Sequence, residues 1–136
     1  MLARPSQTKY KKVFKGKIKG KEQKVVLPVL GGYVLKALEI GRISSKEIEA
    51  LRKVVTRKLK RMGKLQFKIF PNIPVTNKPI EVRMGKGKGS VDSWVARVKP
   101  GRMICVVFGV KPSLAYSTLK SASNKLSIKT WVTHSS

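Results

Sequence analysis

Apolar and polar positions alternate along this chain in short blocks that predict a series of strands interrupted by two helices. Val25 to Leu30 and Tyr33 to Ile40 are rich in strand-forming residues and are separated by Gly31-Gly32, a hairpin pattern. Ile48, Leu51, Val55, Leu59 and Met62 then recur at helical spacing. Ser44 and Glu47 form a Ser-x-x-Glu capping box before that stretch, and Gly63 is placed to stop it. Leu65, Phe67 and Ile69 alternate with Gln66 and Lys68, as in a half-buried strand, and Pro71, Pro74 and Pro79 predict a rigid connector. Pro79 to Val82 and Val91 to Val98 read as strands, with Trp94, Ala96 and Val98 on one face and Val95 as the exception. Pro100-Gly101 predicts a turn and Met103 to Val110 another strand. A second helix opens at Pro112-Ser113, with Ser113 as N-cap and Leu114, Ala115, Leu119, Ala122 and Leu126 facing inward. Ile128 to Thr133 closes the pattern, with Trp131 expected in the core.

Between the strands at 79–82 and 91–98 lies Arg83-Met84-Gly85-Lys86-Gly87-Lys88-Gly89-Ser90, a stretch with almost nothing to bury. Its glycines allow close backbone approach to another molecule. Arg83, Lys86 and Lys88 make that molecule an anion. The P-loop pattern is absent, and the dinucleotide fingerprint fails because Ser90 stands where its third glycine belongs. The residues beyond Ser90 are strand-like, so no helix N-terminus is offered to a phosphate. Two readings remain on local grounds: a solvated hairpin tip, or a finger laid against polyphosphate.

Charge separates them. The 136 residues carry 31 Lys plus Arg against 6 Asp plus Glu, a formal charge of +25. Self-repulsion on this scale works against a compact state unless the surroundings supply counter-charge. Nucleic acid, with one charge per roughly 1.7 Å of duplex axis, is the expected source. An anionic membrane is the alternative, but no apolar run approaches the ~20 residues a spanning helix needs. Residues 1–24 hold Arg4, Lys9, Lys11, Lys12, Lys15, Lys17, Lys19, Lys21 and Lys24 against Glu22 alone, with Tyr10, Val13, Phe14 and Ile18 interleaved. They are expected to form a basic arm, disordered alone and ordered along a polyanion. Residues 25–136 make one domain with a modest core. From Arg52 to Lys68 the basic residues Arg52, Lys53, Arg57, Lys58, Lys60, Arg61, Lys64 and Lys68 meet no acid, which favours a phosphate-facing helix over a merely solvated one.

Catalytic chemistry is hard to assemble. Glu22, Glu39, Glu47, Glu49, Glu81 and Asp92 suggest no acid/base dyad. Cys105 and His134 are too few for a zinc site and, as a nucleophilic pair, lack a third orienting group. Cys105 is expected to pack as a small hydrophobe. No metal, cofactor or catalytic residue is expected, and without a helix-turn-helix, zinc finger or RNP motif, binding by shape and backbone is expected. A free-standing RNA chaperone or regulator stands as the alternative function, and an RNA-directed enzyme using Cys105 or His134 as the remaining one.

The run Phe70-Pro71-x-x-Pro74-Val75-Thr76-x-Lys78-Pro79-x-x-Val82-Arg83-Met84-Gly85-Lys86-Gly87-Lys88-Gly89 resembles the signature of the universal large-subunit ribosomal protein family numbered sixteen, in its bacterial and organellar form. Further matches stand in order at Thr8-Lys9-Tyr10-x-Lys12, Lys15-Gly16, Gly41-Arg42-Ile43, Ile48-Glu49-Ala50, Thr56-Arg57, Gly63-Lys64, Trp94-Val95-Ala96, Lys99-Pro100-Gly101, Gly109-Val110 and Lys125-Leu126-x-Ile128-Lys129-Thr130. The chain departs from the pattern at Leu30 to Leu35, where a second glycine is lost, and at Met103 to Phe108. The resemblance implies an α+β, hammerhead-like fold: two helices on a mixed or antiparallel sheet, a basic N-terminal arm and a protruding Gly/Lys hairpin loop. It implies a non-catalytic place on large-subunit rRNA near the peptidyl-transferase centre, beside aminoacyl- and peptidyl-tRNA. Arg83, Met84, Gly85, Lys86, Gly87, Lys88 and Gly89 would face tRNA. Arg4, Lys9, Tyr10, Lys11, Lys12, Lys15, Lys17, Lys19, Arg42, Arg52, Lys53, Arg57, Lys60, Arg61 and Lys64 would hold rRNA. Neighbouring ribosomal proteins are implied as partners, with no membrane contact and no homo-oligomer. Lysine bias, divergence and the family-like start without a presequence point to an organelle-encoded protein of the mitochondrial ribosome, with plastid or bacterial cytoplasm as alternatives.

Overall fold

A computed structural model describes residues 4–22 and 31–134. The predicted strand Val25 to Leu30 and the 24/25 boundary lie outside them. Seven strands and two helices follow one another as β1 (Tyr33–Ala37), β2 (Gly41–Ser44), α1 (Ser45–Leu59), β3 (Lys64–Phe67), β4 (Ile73–Asn77), β5 (Ser90–Val98), β6 (Met103–Phe108), α2 (Pro112–Ser123) and β7 (Thr130–His134). They build an α+β fold with two antiparallel sheets rather than one, ordered β3-β6-β1-β7 and β2-β5-β4.

The core joins both sheets to the helices. Leu35, Cys105 and Val107 from the four-stranded sheet meet Ile43, Ala96 and Val98 from the three-stranded one, together with Leu51, Val55, Leu119 and Ala122. A smaller cluster of Val34, Met103 and Val106, with Phe108 against it, occupies the other face of the larger sheet. Strand β6 is therefore buried on both faces, which is why it reads as an unbroken apolar run. Between Leu35 and Lys36 the register shifts, so Ile104 has no partner on β1.

Several sequence expectations change in three dimensions. Pro79 to Val82 is no strand: the finger's first strand is β4, inside the supposed proline connector. Pro74 is tolerated there because β4 is an edge, where a missing N–H breaks no inner ladder. Met62 lies beyond α1 and is exposed. Lys111, not Ser113, is the N-cap of α2, which starts with Pro112 in the first helical turn, where its missing N–H costs nothing. Trp131 is 59% exposed rather than core. Its neighbour Val132 packs inward from the edge strand β7, and the two-residue period turns Trp131 outward. Cys105 is buried as expected.

Candidate nucleic-acid interface

Helix α1 carries the first cationic surface. At its start the backbone N–H of Glu47 donates to Ser44 Oγ (3.2 Å), and that of Ser44 donates to Glu47 Oε2 (2.6 Å), completing the capping box. Glu47 Oε1 also accepts from the backbone N–H of Ser127 (3.1 Å), tying the helix start to the segment before β7. Burial works against the Glu47 charge, but these hydrogen bonds from Ser44 and Ser127 outweigh it and hold its carboxyl below the ordinary value. Ile48, Leu51, Val55 and Leu59 are buried, which leaves Arg52, Lys53, Arg57, Lys58, Lys60 and Arg61 on the exposed side.

These cations are not equivalent. Arg52 forks onto Glu49 through Nε (2.9 Å) and Nη2 (2.8 Å), and the hydrogen-bonded guanidinium lowers the Glu49 carboxyl to about 2. An acid thus does serve this face, one turn back along the helix. Lys58 donates to Ser121 Oγ on α2. Arg57, Lys60 and Arg61 make no ion pair among the described residues. Lys60 and Arg61 both adopt left-handed backbone, at φ 45° and 68°, a conformation that costs non-glycine residues about 1–2 kcal/mol each. Gly63 is not the residue that ends the helix, which stops at Leu59. A Cβ on Gly63 would lie 2.5 Å from the carbonyl oxygen of Phe108, so its glycine admits the close approach of this turn to β6. Lys64 opens the edge strand β3, exposed.

The connection between β4 and β5, residues 78–89, carries the second surface. The ladder closes with Asn77 opposite Ser90, and everything from Lys78 to Lys88 is exposed. Met84 and Ile80 reach 102% and 103% exposure, so the loop presents apolar as well as basic side chains. Its glycines divide into two kinds. A Cβ at Gly85 or Gly87 would meet nothing within 4 Å, whereas one at Gly89 would lie 2.3 Å from the carbonyl oxygen of Asn77. Gly89 is demanded by the hairpin base. Nothing in the protein's own packing demands the other two.

Residues 4–22 contain neither helix nor strand, yet they are attached to the body. Arg42 on β2 donates from Nη2 to the carbonyls of Lys15 (3.2 Å) and Gly16 (2.8 Å). Arg97 on β5 donates from Nη2 to those of Phe14 (3.0 Å) and Lys15 (2.7 Å). Lys88 Nζ donates to the Val13 carbonyl (2.7 Å), and Lys12 Nζ donates to that of Lys88 (2.9 Å). Glu22, the lone acid of this region, anchors its end: its N–H donates to the Pro100 carbonyl (2.9 Å) and its carboxylate pairs with Arg102 (3.5 Å). Arg4, Lys9, Tyr10, Lys11, Lys15, Lys17 and Lys19 remain exposed. Lys15, Lys17, Lys19 and Arg42 line an open cleft of about 600 Å³ against Ile40 and Gly41.

The structure thus turns Arg42, Lys12 and Lys88, expected to meet RNA, partly toward the protein's own backbone. It adds Arg97 and Arg102, which sequence reasoning did not single out. Their one legible signal was Arg97's outward place in the alternation of β5. No catalytic constellation assembles around Cys105 and His134. They lie on β6 and β7 with β1 between them, two strand spacings (about 10 Å) across the sheet and a further two residues apart in register. Burial pushes the Cys105 thiol up to about 12, which keeps it protonated and unreactive. Among the described residues no group of three or more His, Cys, Asp or Glu is placed to hold a metal ion, and no helix is long and apolar enough to cross a membrane.

A family model described as ribosomal protein L16p/L10e matches residues 5–133. The chain is 49% identical over 131 residues to the large ribosomal subunit protein uL16 of Erythrobacter litoralis, covering 96% of this chain and 91% of that protein. It is 49% identical over 129 residues to the uL16 protein of Allorhizobium ampelinum, covering 95% and 94% respectively. To that of Hyphomonas neptunium it is 48% identical over 131 residues, covering 96% and 95%.

Proposed function

Because the chain belongs to the ribosomal protein L16p/L10e family, we propose that it is a structural constituent of the large ribosomal subunit, bound to rRNA near the peptidyl-transferase centre and helping to position aminoacyl- and peptidyl-tRNA. The observation that carries this reading is a cationic surface that the protein's own acids cannot neutralise: a formal +25 in which Glu22, Glu39 and Glu49 are already ion-paired and Glu47 is held in the capping box. A compact fold with that balance is completed by a polyanion.

In this reading residues 1–24 are a basic arm and 25–136 a single rRNA-binding domain. Lys53, Arg57, Lys60 and Arg61 of α1 and its C-terminal turn hold rRNA phosphates, with Lys64 and the exposed arm residues Arg4, Lys9, Tyr10, Lys11, Lys15, Lys17 and Lys19. Arg52, Lys12 and Arg42 contribute with the capacity their internal bonds leave. Arg83, Met84, Lys86 and the unencumbered glycines Gly85 and Gly87 form the tip of a protruding Gly/Lys hairpin loop that faces tRNA, with Lys88 and Gly89 at its base, on a hammerhead-like fold. The protein takes no part in the chemistry itself; it shapes RNA, beside neighbouring ribosomal proteins, without a membrane or a second copy of itself. The relatives named above are bacterial, so the bacterial cytoplasm fits them, and the mitochondrial matrix expected from lysine bias draws no support from them.

Sedimentation tests the assignment. A tagged copy expressed in a host carrying the matching large-subunit rRNA should travel with the large subunit through a sucrose gradient. Recovery only at the top of the gradient would overturn the ribosomal role and favour a free RNA chaperone. Affinity for rRNA should also fall with salt, the log–log slope being about −0.7 to −0.9 per phosphate neutralised.

A further inference from the structure

Arg42 and Arg97 stand directly opposite each other across the β2–β5 pair. Like charges in cross-strand positions repel, and neither residue forms an ion pair with a described acid. Instead Arg42 donates to the carbonyls of Lys15 and Gly16 and Arg97 to those of Phe14 and Lys15, so that the negative ends of three consecutive carbonyls occupy the place of a counter-anion. Gly16, at φ 58°, turns the chain at this clamp. Next to it the same segment meets the base of the β4–β5 loop. Lys88 Nζ reaches the Val13 carbonyl, Lys12 Nζ reaches the Lys88 carbonyl, and the Lys88 ammonium lies 5.5 Å from the centre of the Phe14 ring.

The loop needs such support. Beyond the Asn77–Ser90 pair its internal hydrogen bonds are those of Lys78 Nζ to the Gly85 carbonyl and of the Val82 N–H to the Pro79 carbonyl (3.2 Å). Those bonds shape the tip without fixing its direction relative to the sheet. The reciprocal Lys12–Lys88 and Lys88–Val13 bonds do relate loop to arm, and the two arginines relate arm to sheet.

We infer that residues 12–16 are a strap that sets the pose of the 78–89 loop, with Arg42, Arg97 and Lys88 as positioning residues. Contact of the arm with rRNA and contact of the loop with tRNA are then two ends of one mechanical unit. The inference rests on the tRNA-facing reading of the loop, but its geometric half is testable without that reading.

Spin labels attached at Gln7→Cys and Glu81→Cys, both exposed positions, in the full chain built into large subunits, report the arm-to-loop distance. The otherwise unchanged chain should give one narrow distribution. Arg97→Ala and, separately, Lys88→Met should broaden it and slow tRNA accommodation at least threefold, while incorporation into subunits stays at the level of the unchanged protein. An unchanged distribution in both variants would overturn the strap. So would a broadened distribution with undiminished accommodation, since the strap would then not govern the working pose. Loss of incorporation with a narrow distribution would make Arg97 a phosphate ligand instead, which also overturns it. Arg83→Ala and Lys86→Ala are the separate control: if both leave accommodation untouched, the tRNA-facing reading fails whatever the distances show.

Discussion

Replacing the three loop glycines one at a time separates what the fold requires from what a partner requires. At Gly89 a methyl group would sit 2.3 Å from the carbonyl oxygen and 2.7 Å from the carbonyl carbon of Asn77. Both are backbone atoms beside the last β4–β5 pair, so relief means moving a strand rather than rotating a side chain. Forcing a methyl into a site without room costs about 1–3 kcal/mol. At Gly85 and Gly87 the methyl meets nothing, and neither glycine occupies the left-handed region. Alanine there leaves the folded state unstrained and restricts the unfolded chain, a gain of about 0.4–1 kcal/mol. Thermal unfolding of the isolated chain measures the difference, in roughly 0.5 M salt, where the Debye length falls to about 4 Å and self-repulsion is screened. Gly89→Ala should melt several degrees below the unchanged protein, while Gly85→Ala and Gly87→Ala should melt at or slightly above it. In assembled subunits the latter two should nonetheless slow tRNA accommodation, because the backbone approach they restrict is to a molecule outside the protein. Equal melting temperatures for Gly85→Ala and Gly89→Ala would refute the division. So would full activity in Gly85→Ala and Gly87→Ala subunits.

The same geometry sets four further outcomes. Ser44→Ala removes the N-cap of α1 and should cost about 1 kcal/mol in urea unfolding. Because the folded Glu47 carboxyl lies below its ordinary 4.5, its contribution is complete above that pH and is lost as pH falls through the lower folded value; Glu47→Gln should flatten this part of the acid limb of stability. Cys105, buried with its thiol pushed up to about 12, should resist alkylation at neutral pH until the chain unfolds, as tracked by mass spectrometry. Arg57→Ala, Lys60→Ala and Arg61→Ala combined should reduce incorporation into large subunits and lower the salt slope of rRNA binding by about 2–3, at roughly 0.7–0.9 per lost phosphate contact. An unchanged slope would remove these three residues from the interface.

Features written in nearest neighbours and in short periods were legible along the chain. The capping box of Ser44 and Glu47, the buried stripe Ile48, Leu51, Val55 and Leu59, the apolar run of β6 and the turn at Gly101 each depend on residues within a few positions. Local stereochemistry and burial are enough to specify them. The excess of cations, and with it the need for an anionic partner, is likewise a property of composition that no fold can remove. The edge position of β4, which lets Pro74 sit in a strand, depended on which strands came to flank it. The outward turn of Trp131 depended on β7 closing one side of the larger sheet. The two kinds of loop glycine could not be told apart until Asn77 was seen against Gly89. Above all, the register of β2 on β5 sets Arg42 against Arg97, residues far apart in the chain, and their shared repulsion is answered by carbonyls of the arm. Charge and periodicity add up along a sequence, whereas contact between distant side chains exists only once the backbone has brought them together.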